Sequence, residues 1–296
     1  MSWPNLTDLI VTADVAARVG LVGAPLGVGS VSPGRCDLAP ARLRATLGRI
    51  GRFNVETVSE LETRVADHGD IDLAGLSIEE SLTPIRDAVA RCASRHELTM
   101  LIGGNNAVTR PGLHGLAAAS GLRLDQIGLI TLDAHFDLRE TKDGLSNGNP
   151  IRALLEDGLP GPNISQNGLA PFANSADMFH DADAAGIDVK TVSHCFGMGM
   201  TWIIEDALDE LEHVEAIMVD FDIDVIDRAQ FPGAPGGRPG GLHASMFFEA
   251  ARLLCACPKV RLVDLTEWDP PLDPSDLSAL TAARWVAECL TGFEQR

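Results

Sequence analysis

Two rhythms of hydrophobic and polar positions alternate along the chain. One is a set of short, nearly continuous apolar runs, such as Ile127-Gly128-Leu129-Ile130-Thr131-Leu132. Runs of that kind fit strands covered on both faces of a parallel sheet. Eight segments are candidate strands, several of them apolar nearly throughout: Val19–Gly23, Phe53–Val58, Leu98–Ile102, Ile127–Leu132, Ile164–Gly168, Val189–Ser193, Ala216–Phe221 and Val260–Leu265. The other rhythm is helical. Leu82, Ile85, Val89 and Cys92 recur at helical spacing, as do Ile203, Ala207 and Leu211, and later Leu277, Leu280, Ala283 and Ala287. The first helix is expected to begin behind Ser81, and Ser275 or Asp276 to cap the last. Strand and helix in alternation predict an α/β fold around a mostly parallel sheet.

One Gly/Pro-rich stretch, Phe231–Gly241, breaks the alternation. As a linker it would cut off a C-terminal piece with one plausible strand, too little for a sheet of its own. It is expected instead to be a long loop at the C-terminal edge of the sheet, where α/β proteins keep their sites. Residues 1–296 are therefore read as one domain.

Composition narrows the partners. The formal charge is −19, from 42 Asp+Glu against 23 Lys+Arg, and 45% of the 296 residues are hydrophobic. The core can be large, and the charge argues against phosphate-neutralising contacts with nucleic acid or docking on an anionic membrane. There is no tyrosine, so platforms for stacking bases are scarce. Six scattered cysteines, none in a CxxC pair, are expected to be free thiols in a reducing compartment. The opening Met1-Ser2-Trp3-Pro4-Asn5 lacks the basic and apolar regions of a signal peptide, and no apolar run is long enough for a membrane span. The expected location is the cytoplasm.

The acids are not evenly spread. Asp133, His135 and Asp137 directly follow an apolar strand, and side chains two apart on a strand share a face. A second set, Asp220, Asp222, Asp224 and Asp227, follows the strand Ala216–Val219. Carboxylates this dense repel one another at neutral pH, and a divalent cation resolves the cost. Carboxylates with one imidazole and no thiolate favour a hard or borderline ion such as Mn²⁺ or Mg²⁺. The combined inventory suits two metals bridging one hydroxide. Two further strand ends carry Gly103-Gly104-Asn105-Asn106-Ala107 and Asp264-Leu265-Thr266-Glu267. The remaining histidines read as plain: His68, His96, His180 and His213 are expected to be solvent-exposed. The loop Gly197–Trp202 lacks dinucleotide-binding spacing.

In this order the four elements resemble the ureohydrolase family of arginase, agmatinase and formiminoglutamase. Asp133-Ala-His135-Phe-Asp137 matches the family's DAHxD, and Asp222-Ile-Asp224-Val-Ile-Asp227 its DxDxxD. Gly23-Ala24-Pro25, Pro33-Gly34-Arg35 and Ala39–Arg44 match the family's opening. The resemblance implies a three-layer α/β sandwich with a central eight-stranded parallel sheet. It also implies a binuclear Mn²⁺ site, with two ions per subunit at full occupancy. By resemblance, Asp133 and Asp222 bridge the metals, Asp137 completes the first site, and His135 and Asp224 complete the second. Asp137 would also orient the hydroxide and relay its proton, and Glu267 would pair with a cationic amidine.

Two departures sharpen the expectation. Asn106 stands where the family usually has a metal-binding histidine, so the first metal should be weakly held. Ser146-Asn147-Gly148-Asn149-Pro150 replaces an arginase His-Gly-x-Pro segment. Both departures resemble formiminoglutamases, as does Gly168–Ser175. The expected reaction is Mn²⁺-dependent hydrolysis of N-formimino-L-glutamate to L-glutamate and formamide, in histidine degradation. Asn147, Arg152 and Arg139 are candidates for reading the substrate carboxylates. The alternatives are a guanidino hydrolase releasing urea and a metal-poor, non-catalytic homologue. Trimers or hexamers are family precedent.

Overall fold

The computed structural model describes residues 3–296; the opening Met1-Ser2 of the leader reading lies outside the described residues. The strands are β1 (Ile10–Thr12), β2 (Val19–Ala24), β3 (Phe53–Asn54), β4 (Ser59–Glu60), β5 (Val65–Asp70), β6 (Leu98–Gly103), β7 (Ile127–Leu132), β8 (Ile164–Leu169), β9 (Asp188–Thr191), β10 (Ala216–Asp222) and β11 (Val260–Thr266). The helices are α1 (Ala39–Thr46), α2 (Ile78–Ala93), α3 (Thr109–Ser120), α4 (Pro150–Asp157), α5 (Ala176–Ala185), α6 (Val192–Met198), α7 (Met200–Glu210), α8 (Ala244–Ala256) and α9 (Leu277–Phe293).

Nine strands form one sheet in the order β1-β5-β2-β6-β11-β10-β7-β8-β9, and every pairing is parallel. Alternate side chains of the central strands feed two cores. Ile217, Val219 and Phe221 join α1, α7, α8 and α9 on one face, and Ala216 and Met218 join α2 to α5 on the other. Phe221 sits edge-on between Phe247 and Trp285, with ring centroids 5.3 and 5.4 Å away. Because β10 is covered on both sides, its apolar pattern is continuous until the acids at its end.

The strand count differs from the expected eight at the margins. Phe53–Val58 is not in the main sheet: Phe53, Val55 and Val58 are exposed, and only a two-stranded antiparallel β3–β4 hairpin forms there. β1 and β5 lie toward one edge of the sheet and fall outside the eight expected segments. β5 carries Asp67, His68 and Asp70 among its six residues, so it lacks an apolar run. Helix ends shifted too. Ser77, not Ser81, caps α2, in a reciprocal box with Glu80. At α9, Asp273 accepts from the Ser278 N–H at 2.7 Å and Ser275 from the Leu277 N–H at 3.2 Å.

Phe231–Gly241 is a loop packed on the sheet, as expected, with Phe231 and Ala234 buried. All six cysteines are free. Among the described residues, no helix is long and apolar enough to cross a membrane.

Candidate active site

Four adjacent central strands, β6, β11, β10 and β7, end side by side, and each end delivers part of the site. β7 leads into Asp133, His135 and Asp137; β10 ends in Asp222, with Asp224 just beyond; β11 leads into Glu267; β6 leads into Asn106. Side chains one or two residues past a strand end escape the sheet's own packing and converge on the crevice above it.

Local hydrogen bonds explain how so many acids are held. The Asp133 carboxylate accepts from the His135 N–H at 2.7 Å, and Asp222 from the Asp224 N–H at 3.0 Å. Each turns the chain so that the next acid faces the same space. Asn174, in the loop after β8, clips the first turn from outside: its carbonyl accepts from Phe136 N and its amide donates to Ala134 O, both at 2.9 Å. Asp137 and Glu267 both adopt left-handed backbone, with φ of 53° and 59°. Such a conformation in a non-glycine residue is costly, and it persists where the surroundings enforce it, commonly at active sites.

The acids are buried, with exposures of 1% for Asp133, 2% for Asp222, and 3% for Asp224 and Glu267. His135 Nδ1 lies 3.1 Å from Asp224 and 3.4 Å from Asp133. Asp224 pushes His135 up to about 12, so the ring is an imidazolium. Burial pushes Asp133 up to about 6 and Glu267 to about 7, and burial with neighbouring carboxylates pushes Asp137 and Asp222 well up. Asp224 is held low by His135 despite its burial. The cluster thus carries more negative charge than one imidazolium balances.

A divalent cation fits that imbalance. Asp133, His135 and Asp224 bring one ligand atom each within 4.8 Å of one another. The second oxygen of Asp224, Oδ1, is buried without a partner. Gly236 keeps the space open: a Cβ there would stand 2.1 Å from Asp224 Oδ2 and 3.1 Å from His135 Cε1. Asp222 and Asp137 line the same cavity.

Asn106 is placed differently from an oxygen ligand. Its amide nitrogen donates to Asp137 Oδ2 at 2.7 Å, while its oxygen accepts from Thr109 Oγ1 at 2.6 Å and Thr266 Oγ1 at 3.3 Å. To offer its oxygen to a metal, the amide would have to turn over. Its backbone N–H donates to Glu267 at 2.7 Å, so the residue ties two acids together. Asn105 beside it clamps the loop after β2, donating to Val28 O and Ser30 Oγ. The glycine before them is required, since a Cβ on Gly104 would fall 2.0 Å from Leu26 O.

The three candidates for carboxylate recognition part ways. Arg139 is exposed on the cavity wall. Asn147 lines the cavity, yet its amide is spent: it donates to Glu267 at 2.9 Å and accepts from Val31 N at 2.8 Å. Arg152 is not in the site. Its position in the first turn of α4 directs the guanidinium to Asp181 and to Leu138 O, in a neighbouring acidic cavity. Arg238, from the Gly/Pro-rich loop, takes the place at the mouth; as that loop's only cation above the strand ends, it was findable. Asp220 and Asp227 do not line the cavity either. Asp220 lies beneath it, opposite Asp264 across β10–β11. Asp227 closes the loop by accepting from Ala229 N and Gly240 N.

The Arginase family model matches residues 17–292. The chain belongs to the arginase family. Within the family it is similar to the formimidoylglutamase of Halalkalibacterium halodurans, at 32% identity over 92% of this chain and 86% of that protein. The crystal structure of formimidoylglutamase from Bacillus subtilis superposes with a TM-score of 0.91, at 28% identity, covering 98% of this chain and 92% of that one. The fold of Trypanosoma cruzi formiminoglutamase, crystallised with Mn²⁺, matches at a TM-score of 0.90 and 24% identity, over 99% of each chain.

The raised carboxyls carry a stability prediction for the metal-free protein. Their folded pKa values lie above the unfolded ones, so between the two the folded state holds extra protons. That stability is complete below the ordinary carboxylate range and is lost as pH rises through about 6 to 7 for Asp133 and Glu267. His135, held high, acts in the same direction above its ordinary range. The Tm of chelator-treated protein should therefore fall between pH 5 and 8, and Mn²⁺ should restore it most at pH 8. A metal-free Tm that rises over this interval would contradict the placement of the acids.

Proposed function

We propose that this member of the arginase family hydrolyses N-formimino-L-glutamate to L-glutamate and formamide, in histidine degradation. The observation that carries the reading is the sign of charge at two depths of one cavity. The floor is acidic, and the mouth carries the guanidiniums of Arg139 and Arg238. Among the described residues, neither has a carboxylate within 4.0 Å. A substrate cationic at its amidine and anionic at its carboxylates matches both depths. A guanidine substrate such as agmatine, cationic throughout, matches only the floor.

The cofactor is Mn²⁺, two ions per chain at full occupancy, and Asp133, His135, Asp137, Asp222 and Asp224 would hold it. When bound, the ions supply an acidified water at neutral pH and draw charge from the reacting carbon. Glu267, fixed by Asn106 N and Asn147 Nδ2, pairs with the amidinium and aligns it. Asp137 takes the proton from the attacking water and hands it to the leaving α-nitrogen. Oxygen adds to the formimino carbon, its bond to that nitrogen breaks, and formamide and glutamate part. Arg139 and Arg238 hold the carboxylates. Asn106 positions Asp137. The reading includes one catalytic domain spanning residues 1–296 and a homo-oligomer, trimer or hexamer, working in the cytoplasm.

A substrate panel with Mn²⁺ tests this. Formamide from formiminoglutamate is expected, with little urea from agmatine, guanidinobutyrate or arginine. Urea alone would overturn the substrate, and no turnover with any amidine would favour a non-catalytic homologue. Arg139→Ala and Arg238→Ala should each raise KM for formiminoglutamate about tenfold with a smaller change in kcat, since each removes a charge-assisted contact to an unreacting group.

A further inference from the structure

Away from the acidic pocket, toward the opposite end of the strands, two histidines and a cysteine meet behind β2 and β5. The expectation that His96 is solvent-exposed does not hold: it is 6% exposed, in the turn between α2 and β6. His68, on β5, is half-buried, and Cys92, in the last turn of α2, is fully buried. One ligand atom from each lies within 4.8 Å of the other two. The rings stand edge-on at 78°, and their Nε2 atoms are 2.8 Å apart.

The surroundings orient each group. His96 Nδ1 is 2.9 Å from Ala17 O, so Nδ1 carries the proton and the Nε2 lone pair points at His68. A backbone carbonyl fixing the far nitrogen is how proteins orient metal-binding histidines. The hydroxyl of Thr99, buried and without a partner of its own, lies beside Cys92 and favours its thiolate. Gly20 makes room: a Cβ there would stand 2.4 Å from His96 Cδ2 and 2.5 Å from Cys92 Sγ. His68 opens on a cavity of about 320 Å³, whose wall carries Asp72, Arg91 and Asp70, the last paired with Arg44.

We propose that His68, Cys92 and His96 form a second metal site, distinct from the acidic one, for a thiophilic divalent ion of the zinc type. Two imidazoles and a thiolate are a borderline-soft donor set, and the cavity on which His68 opens is the side from which a water would complete it. Two nitrogens on one tetrahedral ion stand about 3.4 Å apart, from Zn–N bonds of about 2.0–2.1 Å. The His68 ring must therefore swing outward slightly, and its cavity allows that. Without the ion, His68 Nε2–H donates to His96 Nε2. On binding, that proton passes to His68 Nδ1 and the thiol proton leaves, a net release of one proton per ion. Burial pushes the free thiol up to about 11, so the ion must displace this proton at neutral pH.

Cobalt provides the test, because thiolate-to-Co²⁺ charge transfer absorbs in the near ultraviolet and an all-oxygen-and-imidazole site gives no such band. One equivalent of Co²⁺ added to Mn²⁺-loaded protein should produce the band, with about one proton released, and Zn²⁺ should abolish it. The band should be absent in Cys92→Ser and retained in Cys36→Ser, which removes a thiol near Glu267 and Asp269. His68→Asn, on the cavity rim, should weaken Co²⁺ binding at least about tenfold, and it keeps the test available if Cys92→Ser folds poorly. No band in the parent protein, a band surviving in Cys92→Ser, or one lost in Cys36→Ser would overturn the proposal and leave a hydrogen-bonded histidine pair.

Discussion

Asp137→Asn should lower kcat for formiminoglutamate about a thousandfold while changing KM little. General acid–base groups contribute about 10²- to 10⁴-fold, and this one is asked to move the proton in both directions. The substitution is nearly isosteric. It keeps an oxygen to accept from Asn106 Nδ2, now at 2.7 Å, and a side chain on the same left-handed backbone. What it loses is the ability to take a proton. Asp137 also stands in the proposed metal shell, so the ions must be counted alongside. Elemental analysis of the variant separates the two roles: near-full Mn²⁺ with lost turnover supports proton relay, and lost Mn²⁺ supports a ligand role alone. A variant that retains turnover within tenfold would remove Asp137 from the mechanism.

The second large effect is at Glu267. Glu267→Gln should reduce kcat/KM about 30- to 5,000-fold, the loss of a buried, hydrogen-bonded charge partner at about 2–5 kcal/mol. Asn106 N and Asn147 Nδ2 hold one oxygen, Oε1, at 2.7 and 2.9 Å. In the proposed function the other takes the amidinium. Glutamine retains a carbonyl but meets the cationic substrate with a dipole instead of a charge. Burial already presses Glu267 toward its neutral form, up to about 7, and an arriving cation draws it back to carboxylate. In the parent enzyme kcat/KM should therefore fall as pH drops and Glu267 takes up a proton, and in Glu267→Gln the limb due to this group should disappear. An unchanged acid limb with unchanged kcat/KM would show that the amidinium binds elsewhere.

The two guanidiniums matter to both experiments because the whole chain is at −19. Such a field repels a dicarboxylate at long range. Recognition must be local, and the proposed function assigns it to Arg139 and Arg238, which line an otherwise acidic cavity.

Much of this was legible along the chain. Strands buried on both faces announce themselves as apolar runs, so β6, β7, β10 and β11 and the polar residues that follow them could be read directly, whereas β8 is buried but carries Ser165, Gln166 and Asn167. β5 could not, because a strand near the sheet's margin tolerates Asp67 and His68. The acidic motifs are local, and their i, i+2 spacing brings Asp133 to His135, and Asp222 to Asp224, by backbone geometry alone. Partnerships across long sequence separations carry no such signal. Asn147 lies 120 residues from Glu267, and Arg152 chooses Asp181 over the cavity.

The sequence by itself determined the α/β class, the family and the inventory of acids, because periodicity and motif spacing are properties of neighbours. Only the tertiary structure decided how that inventory is used. It turned the amide of Asn106 toward Asp137, diverted Arg152 and brought Arg238 to the mouth. It also gathered His68, Cys92 and His96, residues that read as plain along the chain, from β5, α2 and the turn before β6. The physical reason is the same in each case: a side chain's role is set by what the fold packs against it, and those partners come from distant parts of the chain.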